Sequence, residues 1–137
     1  MKLPPPFELP DQGDELRNVL LSTIQDSGQV LVFRGTRRFA EGSAKKLGEW
    51  MFKRMQSWLK TPDDAPEELD VQSRLAALAE IATAIEGSEE STMMGERLAE
   101  ALRGGVAFHH AGLTTGQRRI IETAFRDRIL FAICATP

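Results

Sequence analysis

Three short clusters carry the residue types that could do chemistry: Arg34-Gly35-Thr36-Arg37-Arg38, His109-His110-Ala111-Gly112-Leu113-Thr114 and Ala135-Thr136-Pro137. Each mixes small residues with hydroxyls, and the first adds three arginines. Short side chains let peptide N–H groups come close to an anion, and hydroxyl and guanidinium groups add further donors. The first two clusters lead straight into helix-forming sequence. The unpaired N–H groups and positive dipole end of each following helix would therefore add to the attraction. The chemistry implied is the holding of anions.

Each residue also has a plainer role open to it. Thr36 serves equally well as the N-cap of the helix that follows, and Gly112 as a strand terminator. Of the paired histidines, strand alternation sends one inward and one outward; His110, beside the turn, is the one expected at the anion-holding crevice. Two adjacent histidines on a strand point apart, and no further Cys or His lies within ligand spacing, so no metal site is expected. Arg118 is placed to pair with Glu122 at i,i+4 spacing. Cys134, the single cysteine, lies in an apolar run with nothing nearby to activate a thiolate, which makes it a small core residue.

The clusters need elements to position them. Leu16, Val19, Leu20 and Ile24 follow the helical period from Asp14 to Ser27, and Gln29 to Arg34 is a short buried strand rich in β-formers. After the Gly35-Thr36 turn comes a long helix with Phe39, Ala40, Ala44, Leu47, Met51, Met55 and Leu59 on one stripe, weakened at Gly42 and Gly48 by about 1 kcal/mol each relative to alanine. Two further helices, around Leu75–Ile85 and Met94–Leu102, form a helical insertion at about 61–103. Val106 to His109 is a strand. Thr114 and Gln117 match the S/T-x-x-E/Q capping box that opens a helix. Ile129 to Cys134 is the last strand. The first ten residues, with Pro4-Pro5-Pro6 and Pro10, cannot be helical, so 1–13 reads as an extended, proline-rich lead-in.

Strands joined by helices pair in parallel through right-handed crossovers, so all three should leave at one edge of the sheet. The three clusters sit at those exits, where ligands of open α/β sheets bind. A row of anion sites along one edge suits a chain of phosphates.

Composition narrows the class. The chain has 137 residues, enough for one domain, with 42% hydrophobic and 27% charged residues, values typical of a globular protein. No apolar run approaches a membrane span, and one cysteine fits a reducing, cytoplasmic compartment. A net charge of −3 argues against holding nucleic acid by bulk charge alone. The charge is unevenly spread, however. Acids crowd into 62–100, as in Asp63-Asp64, Glu67-Glu68 and Glu89-Glu90, while Arg34, Arg37, Arg38, Lys45, Lys46, Arg118, Arg119, Arg126 and Arg128 gather near the strand ends.

The blocks Val30–Arg38 with Ala40-Glu41, Phe108–Leu113 with Arg118, Phe125-Arg126 and Ala135-Thr136-Pro137 together resemble the second RecA-like domain of superfamily 2 helicases of the DEAD/DEAH-box type. The superkiller-like branch is the nearest in pattern, the blocks being similar to its motifs IV and IVa and the start of motif V. The likeness covers roughly residues 14–60 and 104–137; residues 61–103 match only as an insertion of variable sequence. It implies an α/β, RecA-like (P-loop NTPase-type) parallel sheet flanked by helices and incomplete here, residues 14–137 being part of that second domain. It further implies that Thr36, Arg37, His110, Ala111, Gly112 and Thr136 touch the backbone phosphates of a tracked single strand, with Arg34, Arg38 and Thr114 as secondary contacts. The partners implied are single-stranded or partly duplex DNA or RNA and a first RecA-like domain, with ATP and magnesium bound between the two domains and 3′-to-5′ movement typical of the branch.

The sequence contains no G-x-x-x-x-G-K-[ST] loop and no Asp-Glu pair after an apolar strand, so this chain alone is expected to bind no ATP and to catalyse no unwinding. A second class of function stays open: a non-catalytic α/β module that uses its acidic helices to dock a protein.

Overall fold

The computed structural model describes residues 12–88 and 93–137. The Glu89-Glu90 pair and most of the proline-rich lead-in lie outside them. The end of that lead-in is corrected: Gln12 and Gly13 already belong to the first helix, α1 (Gln12–Gln25). The chain continues as β1 (Val30–Phe33), α2 (Arg37–Lys60), a 3-10 turn (Pro62–Asp64), α3 (Val71–Glu86), α4 (Met93–Arg103), β2 (Val106–His109), α5 (Thr115–Arg126) and β3 (Ala132–Ala135). This is the α/β, RecA-like arrangement of a parallel sheet flanked by helices. Among the described residues no helix is long and apolar enough to cross a membrane.

The strand order is β1-β3-β2, all parallel, so the last strand in sequence is the central one. Phe33 and His109 both pair with Ala135, which brings the three strands to an end at one level. The order follows from the two crossovers. The path from β1 to β2 skips one position, and the path from β2 to β3 returns to fill it. Adjacent residues of a strand point to opposite faces. His109 contacts Glu122 of α5, and His110 contacts Glu41 of α2, which puts the two crossover helices on opposite faces of the sheet.

Placing β3 in the centre changes what β1 is. It was expected to be buried; it is an edge strand, with Leu31 and Phe33 51% and 59% exposed on one face. Gln29 is not part of the ladder. Its side-chain amide donates to the carbonyls of Phe125 and Leu130 (2.8 and 2.9 Å) and ties the start of β1 to the end of α5. The third strand also starts later than its apolar run. Ile129 to Phe131 form a connector, Ile129 partly buried and Leu130 and Phe131 fully so, because a short apolar run looks the same whether packing or pairing buries it.

In α2 the buried stripe is Ala40, Ala44, Leu47, Met51, Met55 and Trp58, while Phe39 and Leu59, expected on it, are 66% and 46% exposed. The helical period carries the stripe through 40 and 58 and leaves their neighbours outside. Trp50 is half-buried, with the guanidinium groups of Arg17 and Arg54 over its ring at 5.3 and 5.0 Å.

Gly48 has a role that its helix propensity hides. A Cβ there would stand 2.8 Å from the Ala101 carbonyl oxygen and 2.9 Å from the Ala101 Cα, and a Cβ on Gly104 would run into the Gly48 carbonyl. The two glycines let α4 cross α2 backbone to backbone. The insertion is therefore part of the core: Leu98, Ala101 and Leu102 of α4 and Leu78, Ala82 and Ile85 of α3 are buried, as the periodicity predicts. Asp70 caps α3, accepting the Ser73 N–H at 3.1 Å, and that bond holds its carboxyl below the ordinary range.

Candidate nucleic-acid interface

Parallel strands ending at one level place the three clusters along a single rim. Backbone pairing runs one residue past the strands: Arg34 N–H donates to the Ala135 carbonyl at 2.8 Å, and Thr136 N–H to the His109 carbonyl at 3.4 Å. Thr136 thus lies between the Arg34–Thr36 exit and the His110–Gly112 exit, an order that sequence alone does not give.

At the first exit Thr36 is the N-cap of α2, its hydroxyl oxygen accepting the Phe39 N–H at 3.1 Å. Its own hydroxyl hydrogen remains a donor, so capping and anion contact are compatible. Arg37, Arg38, Gly35 and Thr36 are all exposed. The first turn of α2 holds no acid and begins with Arg37 and Arg38, two cations at the positive end of a 24-residue helix. Like charge at that end is unfavourable by some tenths of a kcal/mol per group, and a bound anion relieves it. Arg34 is turned inward, its Nε donating to the Ser43 hydroxyl at 2.9 Å.

The second exit differs from expectation in its details. His110 does not face the crevice. Its ring is buried beneath the turn and stacked on Phe108, centroids 5.4 Å apart. Its Nδ1 accepts the Gly112 N–H at 3.0 Å, and its Nε2 lies 2.8 Å from a Glu41 carboxylate oxygen. A backbone N–H can only donate, so Nδ1 carries the lone pair and the ring proton sits on Nε2, facing Glu41. What the turn offers to solvent is Ala111 and Gly112, both exposed. The Gly112 N–H is already used internally. Glycine is needed there because a Cβ would stand 2.9 Å from His110 Cε1 and 3.2 Å from Arg37 Nη1. The same contact shows the Arg37 guanidinium lying against Gly112, so Arg37 joins the first exit to the second.

His109, the outward histidine, is bonded to Glu122 at 2.8 Å. Arg118 has a different partner from the one its spacing suggests. Its Nη1 donates to the Leu113 carbonyl at 2.7 Å and so holds the turn closed from below. The capping box is present: Thr114 accepts the Gln117 N–H at 3.0 Å, and the Gln117 side chain accepts the Thr114 N–H at 2.9 Å. Gln117 is buried, and its Nε2 has no acceptor among the described residues. At the third exit Thr136 is half-exposed, and Ala135 behind it is buried. Cys134 is buried too, which pushes its thiol up to about 11 and makes it a poor nucleophile.

The sequence does not single out two residues of this site as site residues: Glu41, present only within the first resembling block and 69 positions from its partner His110, and Gln117, read only as a cap. Among the described residues no group of three His, Cys, Asp or Glu is arranged to hold a metal ion.

No family model matches the chain. Relatives do. It is 37% identical over 124 residues to the ATP-dependent DNA helicase Hel308 of Methanocella arvoryzae, a match covering 90% of this chain and 15% of that protein. The matches to the proteins of the same name from Methanocaldococcus jannaschii and Caldivirga maquilingensis are 34% and 33% identical over 125 residues, 91% of this chain in each case. The chain resembles a fragment of a superfamily 2 helicase domain. It spans only 9% and 15% of the length of those last two relatives, and so corresponds to a segment of a helicase domain.

Proposed function

We propose that this helicase segment is the part of an ATP-dependent DNA helicase that grips the phosphate backbone of a single strand, within the second of two RecA-like domains. The observation that carries the reading is the rim: Thr36 and Arg37, the Ala111-Gly112 turn and Thr136 emerge side by side, with two arginines at the uncompensated positive end of α2. A row of hydroxyl, guanidinium and backbone groups holds phosphates without reading bases, which suits an enzyme that must slide over any sequence. His110 supports the turn from beneath, and Arg34, Arg38 and Thr114 flank the contacts. DNA is the polymer favoured over RNA by the names of the relatives.

In this reading residues 14–137 are part of the second domain, and ATP is bound against a first RecA-like domain supplied elsewhere. The residues present do not make a triphosphate site, since no phosphate-cradling lysine loop and no metal-holding acidic pair occur in the sequence. What this segment contributes is the grip, and domain closure around ATP would alternate it.

The test is fluorescence anisotropy of a labelled oligo-dT with the purified chain at several salt concentrations. Weak binding that falls as salt rises supports the reading. A chain that docks protein through its acidic helices gives no such binding, and that result would refute it.

A further inference from the structure

A polar chain runs beneath the exposed turn, and its members come from three different elements. Arg97 of α4 meets Glu41 of α2, Nη2 to Oε1, at 3.1 Å. The other oxygen of Glu41 is 2.8 Å from His110 Nε2, and His110 Nδ1 accepts the Gly112 N–H at 3.0 Å. The His110 side chain is fully buried, that of Glu41 is 18% exposed and that of Arg97 51%. We propose that Glu41 is a positioning residue for the phosphate grip and that Arg97, by holding Glu41, makes α4 a control on the shape of the Ala111-Gly112 turn. The inference rests on the strand-gripping reading above.

The turn keeps its shape while Nδ1 of His110 can accept from Gly112. That needs the ring proton on Nε2, where a buried N–H must have an acceptor. Glu41 is that acceptor. Without it, either Nε2–H stays buried and unpaired, or the proton moves to Nδ1 and points at the Gly112 N–H. In both cases the bond that shapes the turn is weakened, and with it the placement of Arg37, which lies against Gly112. Glu41 has a second oxygen, and a carboxylate held only at one can swing; Arg97 fixes it at both.

Charge alone predicts the opposite effect. Glu41 is an anion one imidazole ring away from the turn, so deleting it should tighten the binding of a polyanion. Positioning predicts that binding weakens. The two signs separate the explanations.

The experiment uses the 137-residue chain, labelled oligo-dT at low salt, and the variants Glu41→Ala, Glu41→Gln and Arg97→Ala, each checked for its melting temperature. Glu41→Ala should weaken binding about tenfold. Glu41→Gln keeps an oxygen for Nε2–H and should stay within about threefold of the parent. Arg97→Ala should weaken binding about threefold, with the salt slope unchanged because Arg97 touches Glu41 and no phosphate. Imidazole nitrogen NMR should show His110 Nδ1 unprotonated in the parent and in Glu41→Gln. If Glu41→Ala fails to fold, the Arg97→Ala measurement decides. Unchanged or tighter binding by Glu41→Ala, equal loss in the alanine and glutamine variants, unchanged binding by Arg97→Ala, or a proton on Nδ1 in the parent would each overturn the proposal. A parent that binds no oligo-dT removes the strand-gripping reading and this inference with it; a parent that binds, with variants unaffected, removes this inference alone.

Discussion

Two glycines in α2 give opposite predictions from the same substitution. Both lie in a helix interior, where alanine is worth about 1 kcal/mol more than glycine. At Gly42 a Cβ meets nothing within 4 Å, so Gly42→Ala should gain most of that. At Gly48 the new carbon would stand 2.8 and 2.9 Å from the backbone oxygen and Cα of Ala101, when ordinary contact begins near 3.4 Å. Backbone atoms of a packed helix cannot step aside as a side-chain tip can, so α4 itself must move. Overpacking of this kind costs about 1–3 kcal/mol, enough to cancel the propensity gain and turn it into a loss. For a chain of this size each kcal/mol moves the melting temperature by several degrees. Thermal and urea unfolding of the two variants should therefore split, Gly42→Ala above the parent and Gly48→Ala below it. The split has a functional echo. Arg97 lies one helical turn before Ala101, and a displaced α4 carries it off Glu41, so Gly48→Ala should also weaken oligo-dT binding. A Gly48→Ala protein as stable as Gly42→Ala would show that the helices are not in backbone contact, and the reasoning would fail.

Other expectations follow from single groups. Arg37→Ala should weaken oligo-dT binding and flatten the slope of log K against log salt by roughly 0.7, the share of one phosphate contact on a single strand; an unchanged slope would place Arg37 off the backbone. The Cys134 thiol, raised by burial to about 11 from 9.0, should resist alkylation in the folded chain. Because the unfolded thiol ionises first, the stability it contributes is complete below about pH 9 and is lost as pH rises from there through 11. Unfolding free energy should drop across that window, and the drop should shrink in Cys134→Ala. The purified chain should hydrolyse no ATP with or without DNA, and nucleic-acid-stimulated phosphate release would contradict the assignment of the triphosphate site to other residues.

Much of the frame could be read from the residues. The strand Val106–His109, the helices of the insertion and the Thr114–Gln117 capping box lie where the local pattern puts them, because local propensity and packing agree there. Parallel pairing, and with it the shared rim, follows from strands alternating with helices. What could not be read depends on contacts between distant segments. The central place of β3, and hence the exposure of Leu31 and Phe33, is a matter of which slot each crossover fills. The buried position of His110 depends on Glu41, 69 residues away. Alternation says that one of two adjacent histidines points inward; it does not say that the inward one carries the turn. Arg118 has Glu122 at ideal helical spacing, but His109 takes that carboxylate and the carbonyl of Leu113 takes the arginine. Gly48 reads as a helix breaker until Ala101 is seen against it.

The most direct test of the grip is amide NMR of the chain during a titration with oligo-dT. The rim account predicts that shifts concentrate at residues 34–38, 110–114 and 135–136, growing together along one binding curve. Shifts gathered instead at the other end of the strands, around Gly28, Arg74 and Arg128, or along the lysines of α2 with the rim silent, would contradict it.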